Sequence, residues 1–309
     1  MNRGKQNFPH VLAAFYGTPF AILPAKLQEI EAVLWRRIAG NEQKSEPVAF
    51  DEDDFDPPPQ EKQKAYKLQG AAAVIQVYGT ITPRPSLFSS WSGGTSAEGI
   101  GRAVEQAAAD PQAEAIVLDI DSPGGSVFGL PEAAGKILAA RKSKPIYAVA
   151  NHVAASAAYW IATQAHTIAV TPAGQVGSVG VLWAHTDVSA FEEKIGYKTT
   201  YITAGQFKAE GASEFPLSEE ARAERQRVVN EYYGMFTAAV VKGRGVKAER
   251  VEKDFGQGRM RLAAEAVELR MADRVATLEQ IVAEVNATRT AKTKRKVAAD
   301  LVGHGRPTA

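Results

Sequence analysis

The chain contains no cysteine. A cysteine nucleophile, a disulfide framework and a thiolate metal site are therefore excluded. The five histidines (His10, His152, His166, His185 and His304) are scattered, and no H-E-x-x-H pair occurs, so no zinc site is expected. No G-x-x-x-x-G-K-[ST] phosphate loop is present, which argues against nucleotide hydrolysis. Long hydrophobic runs are also missing. The most apolar stretch near the start, residues 8–24, is interrupted by His10, Gly17 and three prolines. It is too short and too broken to span a bilayer, and it lacks the clean apolar run of a secretory signal. Packing on a core or a subunit neighbour is the expectation. The formal net charge is only +1, so no global field points to nucleic acid.

Three zones and a tail are read along the sequence. Residues 1–43 end in a helical pattern in which Leu27, Ile30, Val33, Leu34 and Ile38 form one apolar stripe. Residues 44–64, KSEPVAFDEDDFDPPPQEKQK, are acidic and then proline-rich, the composition of a linker. Residues 65–285 alternate β-rich runs with helical patterns, which predicts an α/β domain. Strands are predicted at AAVIQVY, AEAIVLDID, PIYAVA, HTIAV, GSVGVLW and YKTTYIT. Helices are predicted after Ser96, near Pro131, after Ser156, at VSAFEEKIG and from Ser218. Residues 286–309 read as a basic, mobile tail.

Three short motifs carry chemistry. D-S-P-G-G at 121–125 follows a strand and precedes a helix. Its glycines let backbone N–H groups approach a ligand and hold a developing oxyanion, although a plain turn uses the same residues. A-A-S-A-A-Y-W at 154–160 places Ser156 between a strand and a small-residue helix. The serine is either a nucleophile or a helix cap. G-Q-F-K-A-E-G at 205–211 puts Lys208 in a glycine-flanked loop. As a base, that lysine must be neutral, which burial beside an apolar wall such as Phe207 favours; otherwise it is a solvated surface charge. His185, with Asp187 two residues on, is the alternative base.

In order and spacing, the glycine turn, Ser156, G-S-V-G-V at 177–181 and G-Q-F-K-A-E-G resemble peptidase family S49 across about residues 66–285. Within it, the FPH opening, S-A-A-Y-W, GSVGVLWAHTDVSAFEEKIG and GQFKAEGASEFPLSEEA look most like the head maturation proteases of lambda-type tailed phages. The resemblance implies a ClpP/crotonase-like fold of repeated β-β-α units. It implies Ser156 as nucleophile and Lys208 as general base. Gly124 or Gly125, with Ala157, would form the oxyanion hole. Gly177, Ser178, Val179, Gly180 and Val181 would line the substrate channel and pair with an extended peptide.

It further implies a homo-oligomeric ring with sites at subunit contacts, in which Lys208 acts on the Ser156 of its own chain or of a neighbour. No cofactor, metal or membrane anchor is implied. The expected partners are peptides and scaffold, capsid or portal proteins, in the host cytoplasm or prohead interior. A host-type signal-peptide-peptidase-like protease, an acyl-CoA enzyme on the same fold and a non-enzymatic capsid component are the alternatives. One departure is Arg270-Met271-Ala272-Asp273, where the family tends to read Gly-Leu-Val-Asp.

Overall fold

A computed structural model of the chain describes residues 18–38, 65–85 and 94–303, with side-chain surroundings for 18–33, 65–85 and 94–293. The expected linker 44–64 lies outside the described residues. A short strand, β1 (Phe20–Ile22), leads into helix α1 (Pro24–Ile38), where proline suits the first turn because its missing N–H is one the helix leaves unpaired. Leu27 and Ile30 of the predicted stripe are buried, whereas Val33 is exposed.

The main body opens with β2 (Lys67–Gln69) and β3 (Ala72–Tyr78), then the short β4 (Ile81–Thr82) and β5 (Thr95–Ser96) and helix α2 (Ala97–Ala109). The Ser96 side chain caps α2 by accepting the Gly99 N–H. A second unit repeats this order with β6 (Ala115–Ser122), β7 (Gly124–Ser126) and α3 (Leu130–Ala140). In both units a long strand enters one sheet, a short strand turns into another, and a helix returns. This is the β-β-α repeat expected from the sequence. Then follow β8 (Ile146–Ala155), α4 (Ala157–Ala162), β9 (Thr167–Val170), β10 (Gln175–Gly177), α5 (Ser189–Lys194) and the long α6 (Glu219–Arg244). The chain closes with α7 (Ala248–Asp254), β11 (Met260–Leu262), α8 (Ala263–Glu268), β12 (Arg274–Val275) and α9 (Leu278–Gly303).

The large sheet runs β11-β10-β8-β6-β3-β2, with β9 pairing β8 and β12. Its central pairs β3–β6, β6–β8 and β8–β9 are parallel. A central parallel strand is buried on both faces, which is why β6 opens on the apolar run Ala115–Leu118 before the buried Asp119, which is bonded to Tyr78 and Asn151. One face packs Ile116, Leu118 and Ile120 against α2, α3, α4 and α6. The other packs Val74, Val117 and Val149 against Ile281, Val282 and Val285 of α9. The small sheet runs β1-β7-β4-β5 and carries the glycine turn.

Three expectations need correcting. GSVGVLW is not a strand through its length. β10 stops at Gly177, because φ of 132° at Gly177 and 53° at Ser178 turn the backbone out of the ladder. YKTTYIT (197–203) forms no strand either, and Tyr197, Tyr201 and Ile202 are exposed; β-branched alternation without a partner strand makes no sheet. Finally, the domain boundary expected at residue 285 falls inside a helix. The helix continues through Gly303, and Asn286 accepts the Ala71 N–H (2.7 Å) while donating to the Gln69 carbonyl (3.2 Å). The β2–β3 turn holds that part of the expected tail in place.

Candidate active site

Ser156 stands where β8 gives way to α4. Its backbone has φ 54° and ψ −115°, a conformation that costs a non-glycine residue on the order of 1–3 kcal/mol. The residue is fully buried. Its side chain makes no capping bond to α4, so the capping role open to this serine from sequence is not the one it plays. The hydroxyl instead points at the Gly180 carbonyl, 3.4 Å away, and the Ser156 N–H donates to the Gly177 carbonyl at 2.8 Å. G-S-V-G thus grips the serine from two sides. A strained serine on a strand-to-helix turn presents its hydroxyl outward from the backbone, as a nucleophile must.

The frame behind Ser156 is rigid. Tyr159 is buried and donates to the Met271 carbonyl at 2.9 Å; burial pushes its hydroxyl pKa well above the ordinary tyrosine value. Trp160 stacks on Phe236 of α6, with ring centroids 4.7 Å apart. Gln164 donates to the Ala239 carbonyl and ties the end of this turn to the same helix.

The glycine turn lies directly beside the serine. Gly124 has φ 100°, and a Cβ there would meet the Ala21 and Ala155 carbonyls and the Ser156 Cβ, so only glycine fits. Its N–H donates to the Ser122 hydroxyl at 3.2 Å, and that hydroxyl donates to the Gly79 carbonyl at 2.6 Å. Gly125 is pressed against the backbone of Ile81, where again no side chain fits. Ala157 opens α4, and the first amides of a helix have no partner within it. The structure therefore brings Ser156, Gly124, Gly125, Ala157, Gly177, Ser178 and Gly180 into one neighbourhood. Val179 is buried beneath it and Val181 packs at its edge.

Lys208 is elsewhere in character. It lies in a run of turns between α5 and α6 and is exposed, as is Phe207, the proposed apolar wall. Among the described residues no hydrogen bond joins Lys208 to Ser156. The loop is nevertheless held. Arg225 of α6 donates to the Gly211 carbonyl at 2.7 Å and lies over the Trp183 ring at 4.9 Å, and the Val188 N–H donates to the Ser213 carbonyl. His185 is half-buried, with its Nε2 unpaired. Asp187 is spent on Ser189, accepting its N–H (2.9 Å) and its hydroxyl (2.6 Å), and those bonds hold the carboxyl below its usual pKa. Orienting a catalytic histidine takes a carboxylate bonded to it, and no bond between Asp187 and His185 is formed among the described residues.

The departure at 270–273 has a structural form. Arg270 adopts φ 60° just after α8, a left-handed conformation that favours glycine, the residue the resemblance implies there. Asp273 accepts the Ile168 N–H (2.7 Å) and pairs with Arg244 (2.7 Å), whose side chain is buried. Burial pushes the Asp273 carboxyl up, but the bonds from Arg244 and Ile168 outweigh it and the net shift is downward.

Sequence reasoning missed one neighbour of the site. Strand β1 pairs antiparallel with β7, with Ala21 opposite Gly125. The apolar character of FAIL was the available signal, but nothing local names its partner strand.

With this geometry in place, the comparisons fall into line. Residues 139–292 match the model of peptidase family S49, and the chain belongs to that family. Two phage proteins are similar to it. Capsid assembly protease C of Escherichia phage lambda is 29% identical over 259 residues, 80% of this chain and 58% of that protein. Head-tail preconnector protein GP5 of Enterobacteria phage P21 is 29% identical over 256 residues, 80% of this chain and 51% of that protein. The chain spans little more than half the length of these relatives. Among solved structures, a serine-to-alanine mutant of the 1510-N membrane-bound stomatin-specific protease matches at 19% identity and a TM-score of 0.41, covering 70% of this chain and 84% of that one. That score is too low to bear on the site. No helix among the described residues is long and apolar enough to cross a membrane.

Proposed function

We propose that the chain is a serine endopeptidase in which Ser156 is the nucleophile and Lys208 of a neighbouring copy is the general base. The observation that carries this reading is the state of Ser156: buried, strained and not used as a cap. An acyl-CoA enzyme that needed only oxyanion donors would have no use for that strain. Lys208 sits on a surface that looks unfinished in a single chain. In the same stretch of chain, residues 191–215, Phe191, Ile195, Tyr197, Ile202, Phe207 and Phe215 are exposed. An apolar surface of this kind marks a protein contact. A head-to-tail contact that closes on itself gives a ring, and in it the lysine arm of one copy covers the serine of the next.

The reaction then runs as follows. Neutral Lys208 takes the proton from the Ser156 hydroxyl. The oxygen attacks the peptide carbonyl, and the oxyanion is held by backbone N–H groups of the glycine turn and of Ala157. The lysine returns its proton to the leaving amine, and water releases the acyl group by the same route. The phage proteins it resembles support head-assembly proteins as the substrates, with the prohead interior as the place of action.

A fluorophosphonate probe tests the reading. Labelling at Ser156, lost in Ser156→Ala and in Lys208→Ala but kept in His185→Ala, is the expected result. Labelling that survives Lys208→Ala and disappears with His185→Ala would transfer the base role to the histidine.

A further inference from the structure

Strand β1 is gripped on one side by the glycine turn that the proposed function gives to the oxyanion, and on the other by Leu182, next to the segment that the resemblance gives to the substrate channel. On one side it runs antiparallel to β7, with Ile22 opposite Gly124 and the Leu23 N–H donating to the Pro123 carbonyl at 2.9 Å. On the other, Phe20 and Leu182 exchange two backbone hydrogen bonds of 2.8 and 2.9 Å. Leu182 directly follows G-S-V-G-V. An extended segment thus lies between the glycine turn and the channel segment, and the Ala21 carbonyl lies against Gly124, beside Ser156.

Side chains alternate as in any strand. Ala21 is fully buried and joins the main core, while Phe20 and Ile22 face a separate small cluster with Leu27, Ile30, Leu182 and Ala184. That cluster is a satellite. Only Ala21 of this segment belongs to the main core, so the body of the domain does not depend on β1 and α1 for its packing.

We propose that β1 is a tethered occupant of the substrate groove, and that the groove takes extended apolar peptides with an alanine-sized residue at the place of Ala21. This rests on the peptidase reading of the site. A single strand cannot pair with β7 and Leu182 while a substrate does, so β1 must leave before a peptide enters. The geometry also sets the side-chain requirement. Ala21 is fully buried in the main core, so a larger side chain there must displace packed atoms, whereas the flanking positions look toward an apolar cluster that accepts phenylalanine and isoleucine.

Hydrogen exchange on the full chain tests this, with two variants. Ala21→Arg puts a charge into a fully buried core position, and Phe20→Pro removes the N–H that the Leu182 carbonyl accepts. In both, the Leu182 amide should exchange at least tenfold faster than in the unaltered chain, while the amides of β6 and α6 stay as protected as before. A synthetic peptide of residues 16–25, YGTPFAILPA, should restore Leu182 protection in either variant; the same peptide with arginine at its sixth position, the place of Ala21, YGTPFRILPA, should not. Unchanged Leu182 exchange in both variants, loosening that spreads to β6 and α6, or failure of the alanine peptide to restore protection would each overturn the proposal. Fluorophosphonate labelling of Ser156 is read in parallel and should be faster in both variants. Exchange behaving as expected with Ser156 unlabelled in every form would instead overturn the peptidase reading and leave the occupancy standing.

Discussion

Ser156 and Lys208 stand in opposite surroundings. The serine is fully buried, its backbone is forced into a strained conformation, and each neighbour that fixes it is itself fixed. Tyr159 is bonded to Met271, Trp160 is stacked on Phe236, and the glycine turn is packed against Ile81. The lysine sits on an exposed arm whose apolar side chains face outward, with Ile202 99% exposed. On the proposed reading, a buried, pre-set serine and an exposed lysine mean that one chain holds half of the machinery in final form. The other half is displayed for a second chain. Strain at the serine persists because the packed core over-determines it, whereas a lysine needs a dry wall to be neutral, and the neighbour would provide that wall.

Four changes would break or sharpen this contrast. The largest effect belongs to the two reacting groups. Ser156→Ala and Lys208→Ala should each lower peptide cleavage by roughly 10³-fold or more, with melting temperatures close to that of the parent. If Lys208→Ala keeps its activity, the arm is not half of the site. Next, Gly124→Ala keeps its backbone N–H but displaces the turn against Ser156, and should cut cleavage about 100-fold, the size of a misplaced reacting group. It forces a side chain into the Ala21 and Ser156 contacts at a positive φ, so single-turnover kinetics should show the loss in acylation.

The third change probes the frame of the buried half. Asp273→Asn should destabilise the domain by about 2 kcal/mol, read by urea denaturation, because it leaves the Arg244 guanidinium without its carboxylate. The pH dependence has a definite sign. The folded-state pKa of Asp273 is depressed below 3.8, so its contribution is full above that value and is lost as the pH falls through the lower folded value. Asp273→Asn should therefore remove part of the acid sensitivity of the parent. The smallest effect on the single chain belongs to the arm. Ile202→Glu should change stability by no more than about 0.5 kcal/mol, yet shift sedimentation toward smaller species.

Much of the buried half was legible in sequence, because its signals are local. The apolar run of β6, the Ser96 and Ser218 caps and the glycines at 124 and 125 each follow from one residue type meeting one backbone need. The strain at Ser156 was not legible, since nothing in A-A-S-A-A specifies a positive φ. What was misread depends on partners. YKTTYIT has the composition of a strand but pairs with no strand among the described residues. The segment around residue 20 reads as apolar, but its position between β7 and Leu182 is set by contacts more than a hundred residues away. The helix past residue 285 looked like a solvated basic tail until Asn286 met the β2–β3 turn.

The most direct test of the divided site is complementation between two inactive chains. Purified Ser156→Ala and Lys208→Ala proteins, each inactive alone, are mixed in equal amounts, dissociated and reassembled, and assayed for peptide cleavage. With base and nucleophile on different copies, random assembly restores about a quarter of the parental activity, because that fraction of contacts joins an intact serine to an intact lysine. A mixture that forms the same assemblies and stays as inactive as its components would contradict the account.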